Sequence, residues 1–518
     1  MEFEKQSMNR SWKKANAMTQ ITLDDDSIIP DSRPDAVRVI HTMGTLTFEE
    51  PKATSQGVWM KGRMDFFVLY RTDKQEDRIE TLSGSIPFQE KIMMEGVEET
   101  DFVRLEGEIE DLSVNLINSR KLDVRALLEI RAFAEKNKEE EIVSAVLGDG
   151  HYEQKIREET MLNLAAAKKD ILRVRNEIAL PNAKPNIGKL LWQSICPQNM
   201  TSELSDGVLC VSGNAQISVL YRADEEEQIQ WFETSVPFQG KIDCSNAKST
   251  DVFWAKFSPD SMELEAREDY DGEERLLGME LVFGADIKVW REETIPVLED
   301  LFAIDREVET ECEDTVCNEL LVKNHAKIRM GDQMRLEREK EKILQICGSC
   351  GTVHIDEAVQ KPEGIYVSGV LAVDSLYVTA DDNYPVAHIQ DMLSFEQLIE
   401  VPEMSDNVIF ELDCGIDQIS VNLLDSTSYE IKAVISLAVL AVKEHHFCRI
   451  TGAKEAPLDT KRLNKQPGIT GYIVKQGEEL WNIAKAYHTT VQELMETNDL
   501  KTQTPEAGSR IMIVKKVG

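Results

Sequence analysis

The chain has 518 residues, with 58 Lys and Arg against 94 Asp and Glu, a net charge of −36. A field of that sign repels phosphate backbones and anionic headgroups, which excludes nucleic acid as a partner class and direct insertion into a membrane as a habit. With 42% hydrophobic residues the composition is that of a folded chain, long enough for several domains with separate cores.

The N-terminus, Met1-Glu2-Phe3-Glu4-Lys5-Gln6, has neither the apolar core nor the cleavage site of a secretory leader. The longest apolar run, Ala433 to Val442, is too short for a membrane span, which needs about 20 residues. Nine cysteines (Cys196, Cys210, Cys244, Cys312, Cys317, Cys347, Cys350, Cys414, Cys448) are an odd number scattered along the chain and read as reduced thiols. A cytoplasmic protein is expected.

In chain order, Asp24-Asp25-Asp26 lacks the spacing and distal Glu of a calcium loop and reads as a solvated acidic turn. Ile29-Pro30-Asp31-Ser32-Arg33-Pro34-Asp35 follows, and Leu180-Pro181-Asn182-Ala183-Lys184-Pro185-Asn186 repeats it. Paired prolines favour extended neighbours, and Asp or Asn closes a turn on its own backbone, so the segment predicts a strand, a stiff turn and a first core strand. A third copy keeps only Lys342-Ile343-Leu344-Gln345-Ile346, without the prolines.

A larger repeat surrounds these turns. Val68-Leu69-Tyr70-Arg71 then Ile86-Pro87-Phe88 returns as Val219-Leu220-Tyr221-Arg222 then Val236-Pro237-Phe238, and as Ser375-Leu376-Tyr377-Val378 then Leu393-Ser394-Phe395. The period of about 150 residues makes the unit a whole domain rather than a solenoid turn. The recurring Tyr70, Tyr221, Tyr377, Phe88, Phe238 and Phe395 are predicted core.

Alternation is mostly period two. Val208–Gly213 with Ala215–Tyr221, around Gly213-Asn214, reads as a hairpin, and Ile365–Gly369 with Leu371–Asp374 reads the same way. Later pairs are Ile109–Leu116 with Leu122–Phe133, Phe253–Glu263 with Leu276–Trp290, and Ile416–Leu423 with Tyr429–Val442. The prediction is a mainly β chain of three repeated sandwich-like or barrel-like domains. Helix is plausible only around Ile156–Ala167 and Phe302–Leu321.

No phosphate-binding loop, nucleophile elbow or His-Glu-x-x-His pair is present. Cys347-Gly348-Ser349-Cys350 has CxxC spacing without a second ligand pair, and reads as core or turn. His445-His446 with Cys448 is a weak metal candidate, since neighbours on a strand face opposite ways. No metal, cofactor or catalytic residue is assigned, and no enzyme is expected. Arg449–Gly468 lacks periodicity and reads as a tether, locally basic through Lys454, Lys461, Arg462 and Lys465.

The C-terminal stretch is the most legible. Tyr472 and Val474 alternate before Gly477, Leu480, Ile483, Ala484 and Tyr487 form one helical stripe, and Glu478 and Glu479 sit where a helix dipole favours acid. Thr490 with Glu493 suggests a capping box opening a second helix, and Ile511 and Ile513 alternate with Met512 in a last strand. This small α+β unit of strand, helix, helix, strand resembles a LysM module. It departs at Glu478-Glu479, where glycan-binding modules carry Asp then Ser or Thr, and at Val514, where Pro is usual.

The three repeats resemble the SPOCS domain of spore-coat proteins. Three SPOCS-like repeats followed by one LysM resemble the clostridial spore-coat morphogenetic proteins. The domains expected are 11–147, 160–310 and 317–447, then a linker at 448–470 and the LysM at 471–516. The resemblance implies a non-enzymatic scaffold of the mother-cell cytoplasm at the forespore surface. It implies binding of the coat-basement ATPase, stage IV sporulation protein A, through the LysM, with other coat proteins as further partners. Within the LysM, Trp481 is the partner-facing candidate, as Trp is enriched at binding hot spots. Ile469 is the second candidate, and Glu478, Glu479 and Arg510 form the polar rim. The alternative is a wall protein whose LysM binds peptidoglycan or chitin, which two carboxylates beside the first loop oppose.

Overall fold

The computed structural model describes residues 1–514 except 75–77, 149–150, 225–228, 337–341, 382–383 and 459–466. Each repeat is two sheets closed on one core. In the first, β1 (Glu2–Ile28), β7 (Lys121–Leu147) and β6 (Phe102–Asn118) form one antiparallel sheet in the order β1-β7-β6. The other is β2 (Ala36–Phe48), β3 (Lys52–Thr54), β4 (Gly57–Thr72) and β5 (Ile79–Met93), with β4 central. The second repeat pairs β8 (Tyr152–Ala179), β13 (Glu274–Ala303) and β12 (Val252–Glu268), and packs them on β9 (Ile187–Ser205), β10 (Val208–Ala223) and β11 (Ile229–Asp243). The third uses β14 (Arg306–Arg335), β19 (Ser428–Pro457) and β18 (Val408–Asp425) over β15 (Ile343–Lys361), β16 (Gly364–Thr379) and β17 (Val386–Glu400). The expected β class holds, as three sandwiches.

Apolar residues from both sheets interdigitate in each core, and the tyrosines and phenylalanines of the repeat are buried there. The proline turns sit where expected, between β1 and β2 and between β8 and β9, each closed by a backbone bond, Arg33 N–H to Pro30 O and Lys184 N–H to Pro181 O.

Several local expectations fail. The two hairpins around Gly213-Asn214 and Gly369 are single central strands, β10 and β16. Gly213 lies opposite Phe238 and Gly369 opposite Phe395, and each ring lies over the space that a side chain on the glycine would take. Gly62 opposite Phe88 repeats the device in β4. A glycine there is a socket for an aromatic ring, and not a turn. The helices suggested at Ile156–Ala167 and Phe302–Leu321 are instead strand, the first within β8 and the second across β13 and β14 with a bend at 304–305 between them. Asp24–Asp26 is not a turn but the end of β1, with Asp24 paired to Arg125 and Asp26 to Lys121.

Half of the expected tether is also strand. β19 runs to Pro457 against β14, so sheet replaces the first part of 448–470, and Lys454 pairs with Glu311. Lys461, Arg462 and Lys465 lie outside the described residues.

The longest strands outrun their sandwiches. Beyond the reach of β6, Glu2–Trp12 pairs only with Lys136–Leu147, and β8 with β13 and β14 with β19 extend in the same way as two-stranded ribbons. A lone ribbon is marginal in water. Here the three ribbons pack on one another through Met8, Ile142, Met161, Val297, Cys317 and Phe447, two from each repeat.

The sandwiches meet as well. Tyr70, Tyr221 and Tyr377 point into their own cores, so the preceding Leu69, Leu220 and Leu376 point the other way, and all three are buried in one shared cluster. Ile79, Leu191, Trp192, Cys347 and Val386 complete it. Each repeat touches both others. Glu80 of the first receives Lys189 of the second at 2.6 Å, Lys323 of the third lies 3.3 Å over the Phe253 ring of the second, and Lys13 of the first pairs with Glu411 of the third at 2.8 Å. Three tandem domains thus close around an approximate threefold axis.

Candidate functional site

The LysM region is β20 (Ile469–Ile473), α1 (Leu480–Tyr487), α2 (Val491–Thr497) and β21 (Arg510–Val514), with β20 and β21 antiparallel. Among the described residues these are the only helices of the chain. Leu480, Ile483 and Ala484 are buried as their spacing requires, with Val474, Leu494, Ile511 and Ile513 around them. Thr490 caps α2 by accepting from the Glu493 N–H at 3.0 Å, while the Glu493 carboxylate takes the Thr489 hydroxyl at 2.8 Å. Asn498 ties α2 to β21, donating to Leu494 O and Met512 O and accepting from Met512 N–H.

The predicted site residues separate onto two faces. Ile469 is 64% exposed and lies opposite Val514 on the outer side of the small sheet, with Ile473 and Met512 exposed on the same module. Arg510 sits at the end of that sheet, opposite Ile473, and is exposed. Trp481 lies on α1 and is only 8% exposed. What covers it is the ribbon of the second repeat. Phe302 meets its ring edge-on at 4.9 Å between centroids, and Asp300 accepts its indole N–H at 2.8 Å. The other carboxylate oxygen of Asp300 takes Lys485 at 2.6 Å.

The two glutamates are held as well. Glu478 accepts from the Tyr472 hydroxyl at 2.8 Å and the Lys475 N–H at 3.0 Å. The backbone bond from Lys475, with help from Tyr472, holds its carboxyl below the usual range. Glu479 pairs with Lys155 of β8 at 2.8 Å, and this contact, together with Glu299, raises the Lys155 ammonium. His488, left-handed at the end of α1, has Nδ1 3.5 Å from Ala303 O. Sequence reasoning identified Trp481 and the glutamates but missed Asp300, Phe302 and Lys155. Phe302 opens a segment read as helix, Lys155 and Asp300 lie just before such segments, and only the fold brings them within reach.

The other candidates lie apart from this module. Cys347 is buried on the shared axis, and burial pushes its thiol up to about 12. Cys350 does not partner Cys347 but faces Cys196 across the boundary of the second and third repeats. His445 and His446 pair separately, with Glu319 at 2.7 Å and Asp314 at 3.4 Å. Among the described residues no group of three or more His, Cys, Asp or Glu converges as a metal site, and no helix is long and apolar enough to cross a membrane.

The family model described as SipL, SPOCS domain, matches residues 35–117, 186–266 and 342–424, and the LysM domain model matches 472–514. No curated protein and no solved structure matches the chain. The three SPOCS matches fall on β2–β6, β9–β12 and the corresponding β15–β18. The long strands that form the ribbons lie almost wholly outside them.

Proposed function

Three SPOCS domains and a C-terminal LysM domain make this chain a SipL-like sporulation protein, and we propose that it is a non-enzymatic adaptor of the spore coat. In this reading the LysM binds the coat-basement ATPase, stage IV sporulation protein A, from the mother-cell cytoplasm. The repeats then hold further coat proteins at the forespore surface. Neither domain type is a catalytic family, which suits a scaffold.

The observation that carries the reading is the state of the first LysM loop. A glycan held there needs open hydrogen-bonding groups, yet Glu478 folds onto Tyr472 and Lys475 and Glu479 is ion-paired. A carboxylate can accept from any sugar hydroxyl, but one whose oxygens already accept from other donors has little left to offer. The exposed apolar side chains Ile469, Ile473, Met512 and Val514 beside Arg510 suit a protein surface better.

Binding of the purified full chain to the ATPase, with chitin oligomers as control, tests this. The expected result is ATPase binding without chitin binding, weakened by about 2 kcal/mol or more in Trp481→Ala. Chitin binding without ATPase binding overturns the reading in favour of a wall-directed LysM.

A further inference from the structure

The ribbon end of the second repeat carries an arrangement with no role in the adaptor's scaffold. Phe302 lies one residue before the end of β13, and its ring is buried in a cluster whose other buried members all belong to the LysM: Val474, Leu480, Trp481, Ile483, Ala484, Leu494, Ile511 and Ile513. Around it stand polar partners in matched pairs. Asp300 receives the Trp481 indole and the Lys485 ammonium, one on each oxygen, and Lys155 bridges Glu299 and Glu479 at 3.3 and 2.8 Å. An apolar anchor ringed by satisfied polar pairs is the anatomy of a binding interface.

We propose that this ribbon end is a binding site for the chain's own LysM domain, and that a protein engaging the Trp481 face must first displace it. The second half rests on the adaptor reading given above. The α1 face cannot serve two partners at once, because Trp481, Lys485 and Glu479 are each already committed to the ribbon. The outer face of β20 and β21 stays open in the docked state. The short segment between β19 and β20 keeps the module near its site, so re-docking competes with any external partner at high local concentration. Apparent affinity for that partner is then the intrinsic affinity scaled by the undocked fraction.

Two substitutions on the ribbon side test this in the full chain and leave the LysM sequence intact: Phe302→Ala and Lys155→Glu. Hydroxyl-radical footprinting reads the exposure of Trp481, and titration with the purified ATPase reads affinity. Both variants are expected to oxidise Trp481 faster than the wild type and to bind the ATPase about tenfold tighter, as for a module that is docked roughly nine-tenths of the time. Lys155→Glu alters only the partly exposed bridge to Glu299 and Glu479 and removes no core side chain, so it covers the case in which Phe302→Ala disturbs the ribbon. Unchanged Trp481 oxidation in both overturns the docking site. Faster oxidation with unchanged affinity overturns the displacement. If the ATPase binds neither wild type nor variants, the adaptor reading fails and the displacement with it, while the footprint still decides whether the docking site exists.

Discussion

The Glu80 carboxylate of the first repeat lies 2.6 Å from the Lys189 ammonium and 3.3 Å from the Arg222 guanidinium, both of the second repeat. Burial alone would raise its pKa, but the Lys189 hydrogen bond and the two positive charges outweigh that and hold it below the ordinary value. A depressed carboxylate contributes stability above its unfolded pKa, about 4.3, and loses that contribution as pH falls through its lower folded value. Wild type is therefore expected to lose stability in that acid window more steeply than Glu80→Gln, as read from urea midpoints at pH 7 and below 4. At pH 7 Glu80→Ala is expected to cost about 1–3 kcal/mol. This is less than a sealed ion pair would cost, because the partly exposed Lys189 recovers hydration.

His41 acts in a higher pH window. Its ring is buried, with the His388 ring 4.2 Å away and Trp192 6.3 Å away, and desolvation, helped by His388 and opposed by Asp374, pushes it down to about 3. An unfolded histidine takes up its proton near pH 6.5, so stability falls as pH drops from about 6.5 toward 3. Replacing His41 by Phe is expected to flatten the wild-type decline between pH 7 and 5, which denaturant midpoints at the two pH values would detect.

The repeated tyrosines are not energetically equal. Tyr221 donates its hydroxyl to Pro185 O at 3.0 Å, across the proline turn, whereas the buried Tyr70 hydroxyl has no partner among the described residues. Tyr221→Phe is expected to destabilise by about 1 kcal/mol, and Tyr70→Phe to be neutral or stabilising. Parallel thermal melts of the two variants decide it.

The glycine sockets also differ in what fills them. A Cβ at Gly213 would meet Phe238 Cζ at 2.8 Å, a contact with a movable ring, but at Gly369 it would collide with His354 O, a backbone atom. Both alanine variants are expected to lose about 1–3 kcal/mol by overpacking, with Gly369→Ala the worse. Adding Phe238→Leu to Gly213→Ala should recover part of its loss. Adding Phe395→Leu to Gly369→Ala should not, and a double-mutant cycle on unfolding free energy separates the cases.

Thiol labelling provides a further check on the axis. Cys347 is fully buried with its thiol pushed up to about 12, while Cys312 is exposed. Iodoacetamide at pH 8 is expected to alkylate Cys312 in the native protein and to reach Cys347 only after denaturation, as peptide mass mapping would record.

Much of this protein was legible from alternation and repetition. The late strand pairs, the proline turns, the core tyrosines and the whole LysM outline follow from local pattern, because each depends on residues close in sequence. Gly213-Asn214 misled, since a glycine before Asn signals a turn unless a ring from a neighbouring strand fills its place, and Phe238 is 25 positions on. The segments read as helix misled for a related reason. Residues of a ribbon buried against two other ribbons carry apolar side chains on both faces, as at the adjacent Met161 and Leu162 in β8, and lose the period-two signature. The partners of Trp481 were beyond reach of any such reading, because Asp300 and Phe302 lie some 180 residues upstream.

The shared cluster of Leu69, Leu220 and Leu376 makes one chain into what would otherwise be a trimer. A trimer of separate subunits dissociates on dilution, whereas covalently linked units face each other at a concentration fixed by their connections and stay assembled when only a few molecules are present. Linkage also frees each unit to diverge. Position by position, His41, Trp192 and Gly348 occupy the corresponding places opposite those leucines. Identical subunits cannot place a histidine, a tryptophan and a glycine at one spot. The buried seam is therefore built from three unlike contacts, in a single protein whose parts cannot be lost to dilution.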